Sequence, residues 1–137
     1  MIGAKYMLDT NTVSHLVKRH PIVTRRVVEV PMESLCMSAI TAGELLYAPA
    51  KRPEAVRLHA AVTEIMRRVD VLPWDSASAA RYGVVRAELE RTGRTLGSLD
   101  LLIAAHALDA GMVLVTNDRA FGQIGELRIE DWTVERA

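Results

Sequence analysis

The stretch Gly97-Ser98-Leu99-Asp100-Leu101-Leu102-Ile103-Ala104-Ala105-His106-Ala107 sets one carboxylate at the mouth of an otherwise apolar helix. A helix this apolar has to be buried, so its first turn must lie where a charged group is tolerated. Gly97 and Ser98 are helix-start residues, with Ser98 the expected N-cap, and Gly111 is the expected C-cap. Asp100 then falls in the first turn, where the helix dipole favours its charge and is expected to lower its pKa. Taken alone, that arrangement stabilises a helix and does nothing more.

Three further acids have similar addresses. Asp9 ends the apolar run Tyr6-Met7-Leu8 and begins Thr10-Asn11-Thr12, the pattern of a strand running into a turn. Glu44 follows Ser38-Ala39-Ile40-Thr41-Ala42-Gly43 and opens Leu45-Leu46-Tyr47-Ala48; Asp118 follows Val113-Leu114-Val115-Thr116-Asn117. Each acid lies at a junction into a predicted helix. Two have bland readings: Thr41-Ala42-Gly43-Glu44 has the form of a capping box, and Asn117 or Asp118 could cap a turn. Asp9 has none. A carboxylate finishing a buried strand is costly unless something pairs with it, and no basic residue stands near it in sequence after Lys5.

Taken in order, short β-like runs alternate with longer helical ones. Lys5 to Leu8 reads as a first strand, apolar on both faces and so suited to the middle of a parallel sheet. Thr12 to Val17 and Ile22 to Val30 read as helices, Ser34 to Ser38 as a second strand, and Thr41 as the start of the helix bearing Glu44. Pro49 and Pro53 bracket a turn with Lys51 and Arg52. Ala55, Leu58, Val62, Ile65 and Val69 then fall at three- and four-residue spacing, the mark of an amphipathic helix. Val71 to Trp74 is a short strand. From Ser76 to Glu90 a helix is expected to turn Ala80, Val84, Ala87 and Arg91 to one side. After the loop Thr92 to Gly97 and the Asp100 helix come a strand over Met112 to Val115, a short turn or helix from Asp118 to Phe121, and an edge strand within Leu127 to Val134. The alternation predicts a three-layer α/β fold: a central, mostly parallel sheet of four to five strands flanked by helices, as one domain over residues 1–137.

Composition fits that frame. The chain has 137 residues, 50% of them hydrophobic, enough to bury both faces of a sheet. No apolar run is long enough to span a bilayer, and Asp9 interrupts the region where a secretory signal would be continuous, so a cytoplasmic protein without membrane contact is expected. The single Cys36 cannot form an internal disulfide and reads as a small buried hydrophobe. Formal net charge is zero. With the four acids gathered on a metal, however, 13 of the 17 acids remain against 17 basic residues, a surface mildly suited to phosphates.

In open parallel sheets, ligands bind beyond the carboxyl ends of the strands. Asp9 and Asp118 leave two strands at that edge, and helices beginning there would bring Glu44 and Asp100 alongside. Four ionised carboxylates in one cleft repel one another, so a cation is expected among them. Oxygen ligands select Mg²⁺ or Mn²⁺, which keeps several waters and takes one or two direct carboxylates. Asp9 and Asp100 are the expected direct ligands, with Glu44 and Asp118 acting directly or through water. Thr10, Asn11, Thr116 and Asn117 are the polar neighbours expected to orient them.

Met7-Leu8-Asp9-Thr10-Asn11, Glu44-Leu45-Leu46-Tyr47-Ala48, Asp100-Leu101-Leu102-Ile103-Ala104-Ala105-His106-Ala107 and Val115-Thr116-Asn117-Asp118, in this order and separation, resemble the PIN-domain ribonucleases, specifically the VapC toxins of toxin–antitoxin pairs. The resemblance covers nearly the whole chain. It implies a Mg²⁺- or Mn²⁺-dependent endoribonuclease on a parallel-sheet fold, inhibited by a small VapB-type antitoxin, homodimeric, and part of a higher hetero-oligomer with that antitoxin. Its acid set maps onto Asp9, Glu44, Asp100 and Asp118. Arg86-Ala87-Glu88-Leu89, Gly93, Gly97-Ser98-Leu99-Asp100 and Leu127-Arg128-Ile129-Glu130-Asp131-Trp132 resemble most the subgroup that cleaves initiator tRNA in the anticodon loop.

Metal-activated water attacking in line leaves a 5′-phosphate and a 3′-hydroxyl. Lys51, Arg52, Arg94 and Arg119 stand where they could touch RNA phosphates, or be solvated charge. His106 is about 240° around the helix from Asp100 and cannot share its ion; it reads as a helix-face residue with a satisfied ring, and His15, His20 and His59 lack ligand spacing. Two other functions are open to the residues: an aspartate-dependent, Mg²⁺-requiring phosphatase, since Asp9-Thr10-Asn11-Thr12 is one residue from D-x-D-x-T, and a non-catalytic module that docks a basic partner on its carboxylates. Asn11 removes the second acid the phosphatase needs.

Overall fold

The computed structural model describes residues 4–135. Three apolar residues between polar flanks form the central strand β1 (Tyr6–Leu8), paired in parallel with β2 (Leu35–Ser38) on one side and β4 (Val113–Val115) on the other. β3 (Asp70–Leu72) lies outside β2 and β5 (Ile129–Glu130) outside β4, giving the order β3-β2-β1-β4-β5 with every pairing parallel. The first strand is therefore central, as its apolar faces imply. Within the expected edge strand from Leu127 to Val134, Ile129 and Glu130 alone join the sheet.

Because side chains alternate along a strand, the sheet feeds two cores. Leu8, Leu35, Met37 and Val115 point to one face, Met7, Cys36 and Leu114 to the other. Helices α1 (Thr10–Val17), α2 (Pro21–Glu29) and α4 (Val56–Arg68) cover the first face with Val13, Val23, Val27, Val62 and Ile65. Helices α5 (Ser76–Arg91) and α6 (Ser98–Ala110) cover the second with Val85, Leu89, Leu101, Ile103, Ala104 and Ala107. Between them, α3 (Ala39–Ala50) packs Ala42 and Leu45 into the first core. Among the described residues no helix is long and apolar enough to cross a membrane.

Local chemistry shifts three of the expected boundaries. Ser38, at the end of β2, accepts a hydrogen bond from the Ile40 N–H at 3.1 Å, so α3 starts at Ala39 and not at Thr41, and the Thr41–Glu44 capping box does not form. Pro49 lies inside the last turn of α3 and not in the turn that follows. Gly97, not Ser98, is the N-cap of α6; Gly111 ends that helix in the left-handed conformation, φ 67°, as expected of a C-cap.

The face of α5 also differs. Ala80, Val84, Ala87 and Arg91 look outward, Val84 with 66% of its surface exposed, while Ser78, Val85 and Leu89 are buried. Both stripes carry small or apolar residues, so helical spacing alone does not choose between them. Leu89 and Val85 offer the larger area to bury against α6, and that stripe faces inward.

The chain steps outward from β1 to β2 to β3 across one face, then returns under the other through α5 and α6 to β4. The strand order thus reverses between β1 and β4, and the crevice such a reversal opens lies at the carboxyl ends of those strands.

Candidate active site

Asp9 stands at that crevice. It is 2% exposed, and its Oδ1 accepts the Thr12 N–H at 2.8 Å, so the residue that ends β1 also caps α1. Its own N–H donates to the Val115 carbonyl at 3.1 Å, carrying the β1–β4 ladder one residue past the strand. The Thr12 hydroxyl donates to the same carbonyl at 2.8 Å. The buried carboxylate is therefore fixed from two sides before any ligand arrives.

Asp118 enters from β4. It caps the 3₁₀ turn Arg119–Gln123 by accepting the Ala120 N–H at 2.9 Å, and its own N–H donates to the Thr116 hydroxyl at 3.0 Å. Thr116, 1% exposed, also lies beside the Asp9 carboxylate, where its hydroxyl lowers that group's proton affinity. One buried hydroxyl thus holds the Asp118 backbone on the side of the site where Asp9 stands.

Asp100 sits in the first turn of α6, partly buried. The helix runs back toward the start of β4, so its N-terminus lies at the same sheet edge. Burial first, and then the charges of Asp118 and Asp9, hold its carboxyl above the ordinary carboxylate range. This reverses the lowering expected from the helix dipole. An exposed dipole contact contributes only about 0.3–1 kcal/mol, less than partial burial and two like charges oppose it here. Asp9 is raised as well, chiefly by burial and in small part by Asp118, with the hydrogen bonds from Thr116 and Thr12 acting in the opposite sense.

Glu44 stands apart from this trio. Because α3 starts at Ala39, Glu44 lies in its second turn and not its first, is exposed, and is absent from the charges that act on Asp9 and Asp100. It lines a cavity of about 350 Å³ between α1, α3 and α4, together with Thr10. The hydroxyls of Thr10 and Thr41 are buried there without a hydrogen-bond partner among the described residues.

Among the described residues no three acidic, histidine or cysteine side chains converge closely enough to chelate an ion directly. The donor set nonetheless fits a hard divalent cation. Asp9 is a buried carboxylate with no salt bridge among the described residues, and the mutual repulsion in the trio would be relieved by positive charge. Mg²⁺ retains several waters and takes one or two carboxylates, which suits acids spaced for water-mediated contact.

Of the other expected residues, Thr116 accepts the Asp118 N–H beside Asp9, whereas Asn11 and Asn117 are exposed and, among the described residues, make no side-chain hydrogen bond to a carboxylate. Lys51 lies 5.0 Å over the Tyr47 ring and, with Arg52, lines the cavity of Glu44. Arg94 donates to the Gln123 carbonyl at 2.6 Å, and Arg119 is exposed beside Asp118. His106 is buried with Nδ1 2.8 Å from the Ser38 hydroxyl, the satisfied ring its position implied. Cys36 is fully buried and its thiol pushed up to about 12 by burial, consistent with a packing role. Thr12 is the functional neighbour that the sequence reading missed. Its signal was the Asp9-to-Thr12 spacing of an N-cap and its third residue.

A three-layer parallel sheet with three acids gathered over its reversal point defines the class of PIN domains, and the PIN-domain model matches residues 6–127. The chain is 39% identical over 130 residues to the tRNA(fMet)-specific endonuclease VapC of Shigella flexneri, spanning 94% of this chain and 98% of that one. It is 36% identical over 129 residues to a Ribonuclease VapC of Haemophilus influenzae, spanning 93% and 98%. The structure of DNA-bound VapBC from Salmonella typhimurium superposes with a TM-score of 0.87 at 40% identity, covering 94% of this chain and 98% of that one. The chain belongs to the PIN-domain family, in its VapC branch.

Proposed function

We propose that this chain is the toxin of a toxin–antitoxin pair: a Mg²⁺- or Mn²⁺-dependent endoribonuclease acting on tRNA, with the initiator tRNA anticodon loop as its target. The observation that carries the reading is the meeting of Asp9, Asp100 and Asp118 at the sheet's reversal point, where Asp118 raises the proton affinity of both Asp9 and Asp100, and Asp9 that of Asp100. Kinship with proteins named ribonuclease and tRNA(fMet)-specific endonuclease supplies the substrate class.

Asp9 and Asp100 would hold the ion, with Asp118 and, farther off, Glu44 acting directly or through water. When bound, such an ion acidifies a water and offsets the charge growing on the scissile phosphate. The chain's own residues do the positioning. Thr12 fixes Asp9 Oδ1, Thr116 holds the Asp118 backbone beside Asp9, and Asp118 or Glu44 would take the proton of the attacking water. In-line attack leaves a 5′-phosphate and a 3′-hydroxyl. Lys51, Arg52, Arg94 and Arg119 provide charge for the RNA backbone around the site.

A VapB-type antitoxin is the proposed inhibitor, and solved VapBC structures share this fold. An apolar segment of it would enter the cavity walled by Val13, Leu45, Leu58 and Val62 beside Glu44, rimmed by Lys18, Lys51 and Arg52. The toxin is further proposed to be a homodimer that enters a higher hetero-oligomer with the antitoxin.

The deciding experiment is cleavage of initiator tRNA with Mg²⁺, with EDTA, and by Asp9→Ala or Asp100→Ala, followed by sequencing of the RNA ends. Metal-dependent cuts with 5′-phosphates, lost in both variants while the folded spectrum survives, are expected. Activity retained in EDTA or in either variant would defeat the mechanism. A docking module would cut nothing, and a phosphatase would release phosphate from small esters.

A further inference from the structure

A second cavity, of about 180 Å³, opens between α5, the loop before α6 and the first turn of α6. It is lined by Ser98 and Leu101, which flank Asp100 in that turn. Its outer wall is fastened to the acid cluster, because Arg94 donates to the Gln123 carbonyl and the Gln123 amide donates to the Thr95 carbonyl at 2.7 Å. Gln123 ends the turn that Asp118 caps.

The lining has two parts. Leu89, Leu96 and Leu101 form an apolar floor, the first and last of them buried. The rim is a polar row along α5: Arg86 donates through Nη1 to the Tyr82 hydroxyl at 3.0 Å and through Nε to Glu90 Oε2 at 3.0 Å. The Tyr82 ring is braced edge-on by Trp74, with centroids 6.2 Å apart. The Arg86 charge is thereby matched, while Glu90 Oε1 accepts no hydrogen bond among the described residues.

These features select among parts of an RNA. A phosphate would meet the Glu90 carboxylate at the rim and an apolar floor beneath, and of the two lining arginines Arg86 is paired with Glu90 and Arg94 donates to the Gln123 carbonyl. A planar base fills the space differently, with its face on the leucines and an N–H edge toward Glu90. At about 30 Å³ per water, the volume is several times what one water fills. Single-stranded loops are the part of RNA whose bases splay out into such pockets, and carboxylates read amino groups.

We infer that the Tyr82–Arg86–Glu90 pocket is a subsite for one unstacked RNA base next to the cut, preferring a base with an exocyclic amino group over uracil. The inference rests on the ribonuclease reading above.

The test is single-turnover cleavage of unstructured RNA oligonucleotides that differ by one cytosine-to-uracil exchange, moved position by position across the cut. In the wild type, one position near the cut is expected to favour cytosine by about tenfold, the size of a hydrogen bond to a charged acceptor. Glu90→Ala brings that ratio to about one, and Glu90→Gln, which keeps an acceptor oxygen, retains part of it. A purely structural loss in Glu90→Ala slows both substrates alike and leaves the ratio standing, which would overturn the subsite, as would a wild type indifferent to the exchange at every position. Absence of metal-dependent cleavage of any RNA by the wild type would instead overturn the ribonuclease reading, and the subsite with it.

Discussion

Asp9 is a capping residue, a strand terminus and an acid held at raised proton affinity all at once, and these roles conflict in a testable way. Its carboxyl and that of Asp100 lie above the unfolded value. The folded protein therefore binds those protons more tightly than the unfolded chain does. In the absence of metal, this contribution to stability is complete at pH below the unfolded carboxyl values and is lost as pH rises through the folded ones. Asp9→Asn keeps the oxygen that accepts the Thr12 N–H and removes the charge, so it is expected to raise the melting temperature at pH 7 and flatten its fall from acid to neutral pH. Thermal melts of the metal-free protein across that range check this; an unchanged profile would show that Asp9 carries no such strain. Thr116 gives a second prediction. Thr116→Val removes the hydroxyl that accepts the Asp118 N–H and lies beside Asp9, and RNA cleavage should drop about 10- to 100-fold, the usual effect of losing a group that orients a metal ligand. A drop below threefold with the fold intact would count against it. Asp9 was legible in the sequence because a strand-end carboxylate without a basic neighbour is costly to bury, although its capping of α1 is a structural role that the sequence reading did not weigh. Thr116's role was only half legible, since its meeting with Asp9 depends on β1 lying beside β4, and a linear chain does not state which strands are neighbours.

At the scale of the element, helices with strong contrast were readable and those without were not. Val62 and Ile65 lie on the buried side of α4, as their spacing implied, and Gly111 closes α6 as its position implied. In α5 the periodicity pointed to the wrong stripe, because small residues on the outer side match the apolar residues on the inner one in spacing and differ only in the area they can bury. The consequence is a contrast between two substitutions one helical turn or so apart. Leu89→Ala empties a packed site and is expected to cost about 2–5 kcal/mol, whereas Val84→Ala, on the solvent side, stays within about 0.5 kcal/mol. Urea unfolding of both variants measures the difference, and equal costs would place the helix on the other face. The start of α3 was missed for a related reason: Thr41-Ala42-Gly43-Glu44 has the letters of a cap, but Ser38 comes earlier and takes the Ile40 N–H first. That one cap moves Glu44 a turn along the helix and away from the other acids.

Across the whole molecule, the strand order matters more than any single contact. Alternating strands and helices predicted a parallel sheet, but the point where its order reverses is a property of the assembled topology, and the three acids gather at that point from β1, the turn after β4 and the start of α6. The site is therefore built from segments separated by most of the chain, and a cation bound there by the native state alone stabilises every element that brings them together. By mass action, Mg²⁺ at about 100 times its Kd adds about 2.7 kcal/mol, so the melting temperature should rise by several degrees on adding Mg²⁺ and return on adding EDTA. Asp100→Asn should begin from a higher metal-free melting temperature, since it removes one of the repelling charges, and respond to Mg²⁺ weakly or not at all. The two effects run in opposite directions in the same variant, so general damage to the fold cannot imitate them. Were Asp100→Asn to gain as much from Mg²⁺ as the wild type, the ion would be bound elsewhere, and the three carboxylates would have to be explained without it.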